Sequence, residues 1–272
     1  MCHKAVVLAL ALVLSSLTFA QRNPKQSAAG AGPLASETCA FTFKSGKGFL
    51  ATQYCVTANG NIASFSTAGV DMLAGVRPAI EGYGICDVTN SQTNYWDFAN
   101  TDSGNWNPAT AVLTNPKTVT VTRTTADGLW KLVQTIASTP ASKTNYGSAK
   151  ITMALTNTSA TDKVVLLERH VNPDAGGQFA AAFNNFEATS FTVNAFNEPS
   201  GGGTGFTSSA NLLTTNFDFQ FALILPLPDA PTPCSPGGNT SLFTGDGSML
   251  QEFNLEIAPG ATKSAVVTYK PI

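Results

Sequence analysis

Hydrophobic and polar residues alternate along most of the chain beyond residue 38. Val119 and Val121 alternate with threonines, and Ile151, Met153 and Leu155 alternate with threonine and alanine. Successive side chains of a β-strand point to opposite faces, so this period of two predicts strands with one buried and one solvated face. Helical periodicity is nearly absent, and the pattern therefore predicts an all-β protein.

The same alternation continues to the carboxyl end. Each of its hydrophobic sets predicts one face of a sheet. The sets are Phe217, Phe219, Phe221 and Leu223; Phe253, Leu255 and Ile257; and Ala265, Val267 and Tyr269.

Short turns separate several of these segments. Asn-Gly at 59–60 and Asp-Gly at 127–128 are dipeptides typical of two-residue hairpins. The polar run 157–162 predicts a third hairpin, which would join the strand around Ile151 to the strand around Leu167. Short connections of this kind favour antiparallel neighbours.

Strand length and spacing favour a large antiparallel β-sandwich of the supersandwich type. Strands of roughly five to eight residues, without crossover helices, pack most economically as two layers. Two immunoglobulin-like β modules or a barrel are the alternatives. We expect one sandwich domain over residues 39–272.

The amino terminus has the features of an export signal. Residues 1–20 contain Lys4, an apolar run and a small-residue cleavage site, which predicts cleavage after Ala20. The apolar run is too short to span a membrane, so we expect no span after processing. Residues 21–38 have the composition of a flexible linker. These features predict a secreted or periplasmic protein.

Four cysteines remain after that cleavage: Cys39, Cys55, Cys86 and Cys234. An even number in an oxidising compartment favours two disulfides over free thiols. Three pairings are possible, and we favour Cys39 with Cys55, because they bound a predicted two-strand unit. That choice leaves Cys86 with Cys234. Cys-x-x-Cys and paired-His spacings are absent, which disfavours a zinc site.

Composition argues against one class of partner. Only 12% of the residues are charged, whereas 43% are hydrophobic, and the formal net charge is −2. A nucleic-acid-binding surface needs a basic patch, so we expect no nucleic-acid partner. Nothing in the chain predicts a cofactor, and the oligomeric state is not predicted.

One charged cluster has residue types suited to proton transfer. Glu168, Arg169, His170 and Asp174 lie at the end of a predicted strand, and His170 is the only histidine left after cleavage. Arg169 could hold a sugar or carboxylate while His170, Asp174 or Glu168 moves a proton. The competing interpretation is an edge strand whose charges face water.

Aromatic residues and short polar residues form a second candidate cluster. Aromatic rings cover the apolar face of a sugar, and carboxylates or amides bind its hydroxyls. Trp96 and Phe98 share one strand face and Tyr95 and Asp97 the other, so we expect at least one pair in the core. The predicted ligand-binding residues are Tyr95, Trp96, Asp97, Asp102, Trp106 and Arg169.

Two further features bear on binding. Residues 102–107 place oxygen ligands at alternate positions, as calcium loops do, but lack the closing Glu of such a loop, so no metal site is predicted. Residues 172–182 and 198–209 are glycine-rich and predict surface loops, where binding sites are frequent.

Three segments carry a family resemblance: residues 81–87 (EGYGICD), residues 155–159 (LTNTS) leading to Arg169, and residues 257–260 (IAPG). With them the chain resembles uncharacterised secreted bacterial β-sandwich proteins and, in general style, the galactose-mutarotase-like supersandwich. The resemblance implies carbohydrate chemistry. It assigns no catalytic residue.

Three functional hypotheses follow. The leading one is a non-catalytic module that presents its loops to a glycan or to another envelope protein. The second is a carbohydrate-active enzyme of mutarotase, lyase or hydrolase type that uses the Glu168 to Asp174 cluster. The third is a structural or adhesive surface protein. A shared cleft for His170, Asp174 and an aromatic ring would favour the enzyme.

Overall fold

The structure, a computed structural model, describes residues 38–73, 81–99, 101–177, 184–197, 205–212, 218–226 and 232–272. Residues 1–37 lie outside this range, so the predicted signal and nearly all of the linker do too. The division into signal, linker and one domain stays a prediction. The described residues contain strands and one 3-10 turn, Gly48–Leu50. Among them, no helix is long and apolar enough to cross a bilayer.

The strands confirm the all-β expectation. In chain order, they are β1 Cys39–Ser45, β2 Thr52–Thr57, β3 Ile62–Thr67, β4 Val70–Asp71, β5 Glu81–Asp87, β6 Thr93–Phe98, β7 Thr101–Asp102, β8 Thr110–Asn115, β9 Thr118–Thr124, β10 Trp130–Thr139, β11 Ser148–Asn157, β12 Lys163–Val171, β13 Asn185–Ala188, β14 Thr192–Phe196, β15 Gly205–Leu212, β16 Phe219–Leu225, β17 Phe243–Thr244, β18 Ser248–Ile257 and β19 Thr262–Pro271.

These strands form three antiparallel sheets. The nine-stranded sheet has the order β17-β13-β14-β15-β19-β11-β10-β9-β8, the six-stranded sheet the order β16-β18-β12-β5-β6-β7, and the four-stranded sheet the order β1-β2-β3-β4. Each described sheet is open at both edges, so the sandwich is the architecture that is found.

The nine-stranded and six-stranded sheets face each other across one hydrophobic core. Trp130 on β10 donates from Nε1 to Asp87 on β5 at 3.2 Å, and Gln251 on β18 donates to the backbone oxygen of Ser208 on β15 at 2.9 Å. The four-stranded sheet joins the same core, because Phe65 on β3 contacts Phe206 edge-on at 5.3 Å between ring centroids.

Alternation predicted the strand faces correctly in the clearest stretches. Val119 and Val121 are fully buried between half-buried threonines, and Leu132 and Ile136 are buried in the same way on β10. The two hairpins at 59–60 and 127–128 are also confirmed, since β2 pairs with β3 and β9 with β10.

The third predicted hairpin is wrong. β11 pairs with β10 and β19, whereas β12 pairs with β5 and β18, so residues 158–162 cross from one sheet to the other. Asn157 fixes this crossing, because its Nδ2 donates to the backbone oxygens of Ile257 at 2.8 Å and Thr161 at 2.7 Å. A short polar connection is compatible with either geometry, and alternation does not specify which sheet a strand joins.

One predicted loop is also partly wrong. Gly205–Leu212 forms β15 between β14 and β19, so the last residues of the predicted loop 198–209 are strand. The rest of that segment, 198–204, lies outside the described residues. Residues 172–177 follow β12 without strand structure, and 178–182 also lie outside the described residues.

Both favoured disulfides are present. Cys39–Cys55 joins β1 to β2, and Cys86–Cys234 joins β5 to a segment 148 residues away in sequence. Two disulfides in one chain point to an oxidising compartment.

Candidate functional site

β12 carries charged residues on both of its faces. It lies between β5 and β18 in the six-stranded sheet, so the edge-strand interpretation of residues 168–174 is wrong. Val165, Leu167 and Val171 belong to the core, and Arg169 shares their face. Glu168 and His170 therefore point to the opposite face, away from the nine-stranded sheet. We call this the outer face.

Arg169 is held in the interior by a complete set of partners. Its Nε pairs with Glu81 on β5, its Nη1 donates to Gln134 Oε1 at 2.5 Å, and its Nη2 donates to the Gly60 backbone oxygen at 3.1 Å. Tyr269 donates to the same Glu81 carboxylate at 3.1 Å. Arg169 is 0% exposed. It therefore stabilises the core and is not placed to hold a ligand on the surface.

Electrostatics in this interior cluster follow from burial. Burial raises the pKa of Glu81, and the Arg169 guanidinium partly offsets that effect. Burial also raises the pKa of Tyr269 well above its ordinary value, and the Glu81 carboxylate adds to it. A protonated Tyr269 is the form that can donate to Glu81, so the raised pKa is consistent with the observed hydrogen bond.

A second interior cluster contains several of the predicted ligand-binding residues. Arg123 on β9 pairs with the buried Asp97 and, at 3.2 Å, with Asp102. Its guanidinium lies 5.1 Å from the ring centroid of Trp106, which is itself buried. Tyr95 lies 6.2 Å from Trp106 between ring centroids. Asp97, Asp102 and Trp106 thus pack around Arg123, and Tyr95 packs against Trp106, so these four predicted residues belong to a largely interior cluster.

Trp96 is the predicted aromatic residue that lies on the outer face. It is half-buried, and its ring stacks on Phe98 at 5.4 Å between centroids. Tyr95 and Asp97 form the core pair, as the strand pattern anticipated for one of the two pairs.

Strand register arranges the outer face in two rows. The first row across β6, β5, β12, β18 and β16 is Trp96, Gly84, Glu168, Glu252 and Phe221. The second row across the same strands is Phe98, Gly82, His170, Leu250 and Leu223. Carboxyl groups at the centre of the sheet are therefore flanked by aromatic residues on both sides.

Glu168 and Glu252, which we call the acid pair, lie directly opposite each other on β12 and β18. Both Glu168 oxygens and Glu252 Oε2 are buried without a hydrogen-bond partner among the described residues. Burial, reinforced by the negative charge of Glu252, raises the pKa of Glu168 well above its ordinary value. Burial also raises the pKa of Glu252. The acid pair therefore retains a proton at a pH where exposed carboxyls have lost theirs.

His170 lies beside the acid pair as a neutral imidazole. Burial lowers its pKa to about 3, and neither ring nitrogen has a hydrogen-bond partner among the described residues. The Phe98 ring packs against it edge-on at 5.6 Å between centroids. Asp174 is buried in the following loop and does not bond to either nitrogen of His170.

Two glycines of β5, Gly82 and Gly84, allow neighbouring groups to pack closely against the strand between β6 and the acid pair. A Cβ at Gly84 would lie 2.5 Å from Pro233 Cγ and 2.6 Å from Glu168 Oε1. Pro233 therefore covers this position. It belongs to the strap, residues 232–235, which is fixed by the Cys86–Cys234 bond and by the Cys234 amide donating to Asn94 Oδ1 at 2.7 Å.

The chemistry available here is proton exchange and hydrogen bonding to a polar ligand. A protonated carboxyl donates, its neighbour accepts, and His170 offers one donor and one acceptor. Among the described residues, no group of three or more His, Cys, Asp or Glu side chains is arranged to hold a metal ion.

Sequence analysis missed Glu252, Phe221 and the two glycines of β5. Glu252 occupies a polar position in an alternating strand, which is the usual pattern for a solvated residue. Its proximity to Glu168 depends on a strand pairing over 84 residues of sequence, since 252 − 168 = 84. No local pattern carries that information.

Comparisons with known proteins show a likeness of fold. No family model and no curated protein matches the chain. A galactose mutarotase-like protein from Lactobacillus casei is 8% identical over 85% of this chain and 100% of that one, with a TM-score of 0.48. A bacterial glucoamylase complexed with acarbose is 9% identical over 89% of this chain and 33% of that one, with a TM-score of 0.47. Heparinase III is 12% identical over 89% of this chain and 36% of that one, with a TM-score of 0.46.

The chain thus spans about a third of the length of the glucoamylase and of the heparinase. The expected weak resemblance to galactose-mutarotase-like proteins, without a matched family, is confirmed. At these identities and TM-scores, the likeness concerns the fold and does not extend to chemistry.

Proposed function

We propose that the outer face of the six-stranded sheet binds carbohydrate. The observation that carries this proposal is a set of buried polar atoms without a hydrogen-bond partner among the described residues: both oxygens of Glu168, Oε2 of Glu252 and both ring nitrogens of His170, between aromatic side chains. Buried polar groups in folded proteins are normally hydrogen-bonded, so a ligand that donates to or accepts from these atoms would satisfy them. Sugar hydroxyls provide such donors and acceptors.

Aromatic side chains at both ends of the row fit the apolar faces of sugar rings. Trp96 is half-buried and Phe221 is 46% exposed, so each offers ring surface to a ligand. They are separated by four interstrand steps of ~4.8 Å, or ~19 Å in all, and Pro233 of the strap lies over Gly84 between them, so each aromatic residue would contact its own sugar ring. This arrangement supports the leading hypothesis of a glycan-binding module, with the site moved from the loops to the sheet face.

Catalysis is a second candidate, favoured by the raised pKa of Glu168 beside a second carboxyl. A carboxyl that keeps its proton near neutral pH can act as general acid, and its neighbour can act as base or nucleophile. Arg169 does not contact the substrate in this catalytic hypothesis, because its side chain lies in the interior. In a search for epimerase, hydrolase or lyase products, Glu168→Gln would abolish turnover while binding persists.

The binding proposal is tested by a glycan array with the folded, oxidised chain, followed by calorimetric titration of the best ligand. Trp96→Ala and Phe221→Ala should each weaken binding about 2- to 10-fold, because each removes one aromatic contact. Phe191→Ala is the matched control, since Phe191 is 58% exposed and lies between β13 and β14 of the other sheet.

Three outcomes are informative. Loss of affinity in both outer-face variants but not in the control supports the proposed face. Equal affinity in all variants places the glycan elsewhere and overturns it. Absence of binding to every glycan on the array also overturns it and favours a protein partner of the envelope.

We further propose that the chain is exported and processed. The oxidising compartment implied by the two disulfides supports this, as does the amino-terminal pattern. Amino-terminal sequencing of the protein from a secreting host should begin at Gln21; retention of residue 1 would contradict the cleavage.

A further inference from the structure

Four buried carboxylates elsewhere in the described chain are paired with cations. Glu81 pairs with Arg169, Asp87 with Lys163, Asp97 with Arg123, and Asp218 with Lys263. All four carboxylate side chains are at most 1% exposed. The acid pair is different, because two carboxyl groups face each other and the described residues supply no cation to either of them.

Among the described residues of the six-stranded sheet, no positive charge compensates the acid pair from its own face. On the described strands of the six-stranded sheet, Lys163 and Arg169 occupy inward positions and pair with Asp87 and Glu81. The outward positions hold Glu168, Glu252 and Glu256, together with the neutral His170. Two carboxylates directly opposite each other in a sheet are destabilising when both are ionised, and a bound cation would offset that cost.

The open side of the acid pair faces β16. Glu168 is 1% exposed beneath Pro233, whereas Glu252 is 8% exposed and lies opposite Phe221, which is 46% exposed. A ligand can therefore approach from the Phe221 side and reach Glu252 first. The rings of Phe221 and Trp96 on either side also present faces that attract a cation.

We infer that the acid pair is the subsite for an ammonium group, and that the ligand is an amino sugar with a free amine. This inference rests on the proposed carbohydrate-binding function. A protonated amine has three donors, and Glu168 and Glu252 offer carboxylate oxygens from two sides. Sulfated sugars and uronates would meet like charge and bind poorly.

The test uses sugars that differ only in the group at one carbon. Matched oligosaccharides with a hydroxyl, an N-acetyl group or a free amine at that carbon are titrated into the folded, oxidised chain at about pH 6, where the amine is protonated. The amine form should bind about tenfold more tightly than either neutral form, with anionic oligosaccharides weakest.

Two variants separate a specific subsite from a general charge effect. Glu252→Gln should abolish the preference for the amine but keep binding to the neutral sugars. Glu256→Gln removes one negative charge from the same strand and face, and should leave the preference within about twofold. Thermal denaturation of both variants checks that each is folded.

Each result decides between the two proposals. Equal affinity for all neutral and cationic forms overturns the ammonium subsite and leaves the carbohydrate-binding face standing. Preference for anionic sugars also overturns the subsite. An amine preference that Glu256→Gln reduces as much as Glu252→Gln does overturns it in favour of a diffuse charge effect. Failure to bind any sugar overturns both proposals.

Discussion

Glu168 and Arg169 are consecutive residues of β12 that point to opposite faces of the six-stranded sheet. Arg169 enters the core and has a partner at each of its three guanidinium nitrogens, whereas Glu168 faces outward without a hydrogen-bond partner among the described residues. Arg169 therefore has a structural role in the core, whereas Glu168 on the opposite face is a candidate binding residue. Their substitutions should have different effects.

Removing the interior charge should be strongly destabilising. Arg169→Met leaves the buried Glu81 carboxylate without its cation, and breaking such a pair costs about 3 to 5 kcal/mol in free energy of unfolding. The double variant Arg169→Met with Glu81→Gln should recover part of that loss. Urea denaturation measures all of these values. Lys131→Met, at an exposed position of β10, is the control, and an equal loss there would refute a structural role for the ion pair.

Glu168 should make the protein less stable as pH rises. Its pKa is raised in the folded state, so between the unfolded value of ~4.3 and the folded value the native protein holds a proton that the unfolded chain has lost. The free energy of unfolding therefore decreases with pH across this window. Glu168→Gln should lose that decline, so its free energy of unfolding should increase relative to that of the wild type as pH rises above about 4.3. The free energies of unfolding of both proteins are measured by urea denaturation at several pH values. If the two free energies changed with pH in parallel, the prediction would be contradicted.

His170 should have the opposite pH dependence. Its folded pKa is about 3, below the unfolded value of ~6.5, so the unfolded chain takes up a proton that the native protein excludes. Stability is fully present above about pH 6.5 and is lost as pH falls toward the folded pKa. His170→Leu should match the wild type at about pH 8 and exceed it by roughly 2 kcal/mol at about pH 4.5. An unchanged difference between those two pH values would show that the imidazole is not buried as a neutral group.

The two disulfides should contribute unequally. The Cys86–Cys234 bond closes a much longer loop than Cys39–Cys55, with sequence separations of 148 and 16. Constraint of the unfolded chain predicts a loss of about 5 kcal/mol for the paired Ser variant of the long bridge, against about 3 kcal/mol for that of the short bridge. Urea denaturation of both double variants measures the difference. An equal or reversed order would mean that native contacts of the strap outweigh loop closure.

Alternation and turn chemistry predicted the strands because both are local properties. The Asn-Gly and Asp-Gly dipeptides fixed two hairpins, and the threonine-flanked Val119 and Val121 fixed a buried face. The same alternation contained a further signal, because Arg123 follows Val121 at an inward position. A charged residue at such a position indicates an interior ion pair, which Asp97 provides.

The candidate site depended on information that no short segment contains. Residues 158–162 fit a hairpin or a crossing between sheets, and the choice between them decides whether β12 lies at an edge or in the centre. Glu252 lies next to Glu168 because β12 crosses to the six-stranded sheet and pairs there with β18. The sequence identified residues 168–170 as candidate functional residues, but it did not predict which of them point into the core.

The interior ion pair also restricts how the sheet can assemble. If β12 were displaced by one residue against β5, the Glu168 side chain would enter the core near Glu81, and Arg169 would turn to the outer face. In that misaligned register, the Glu81 and Glu168 carboxylates would lie close together in the core without the Arg169 guanidinium. The pairing of Glu81 with Arg169 thus disfavours wrongly aligned strands while the sheet assembles.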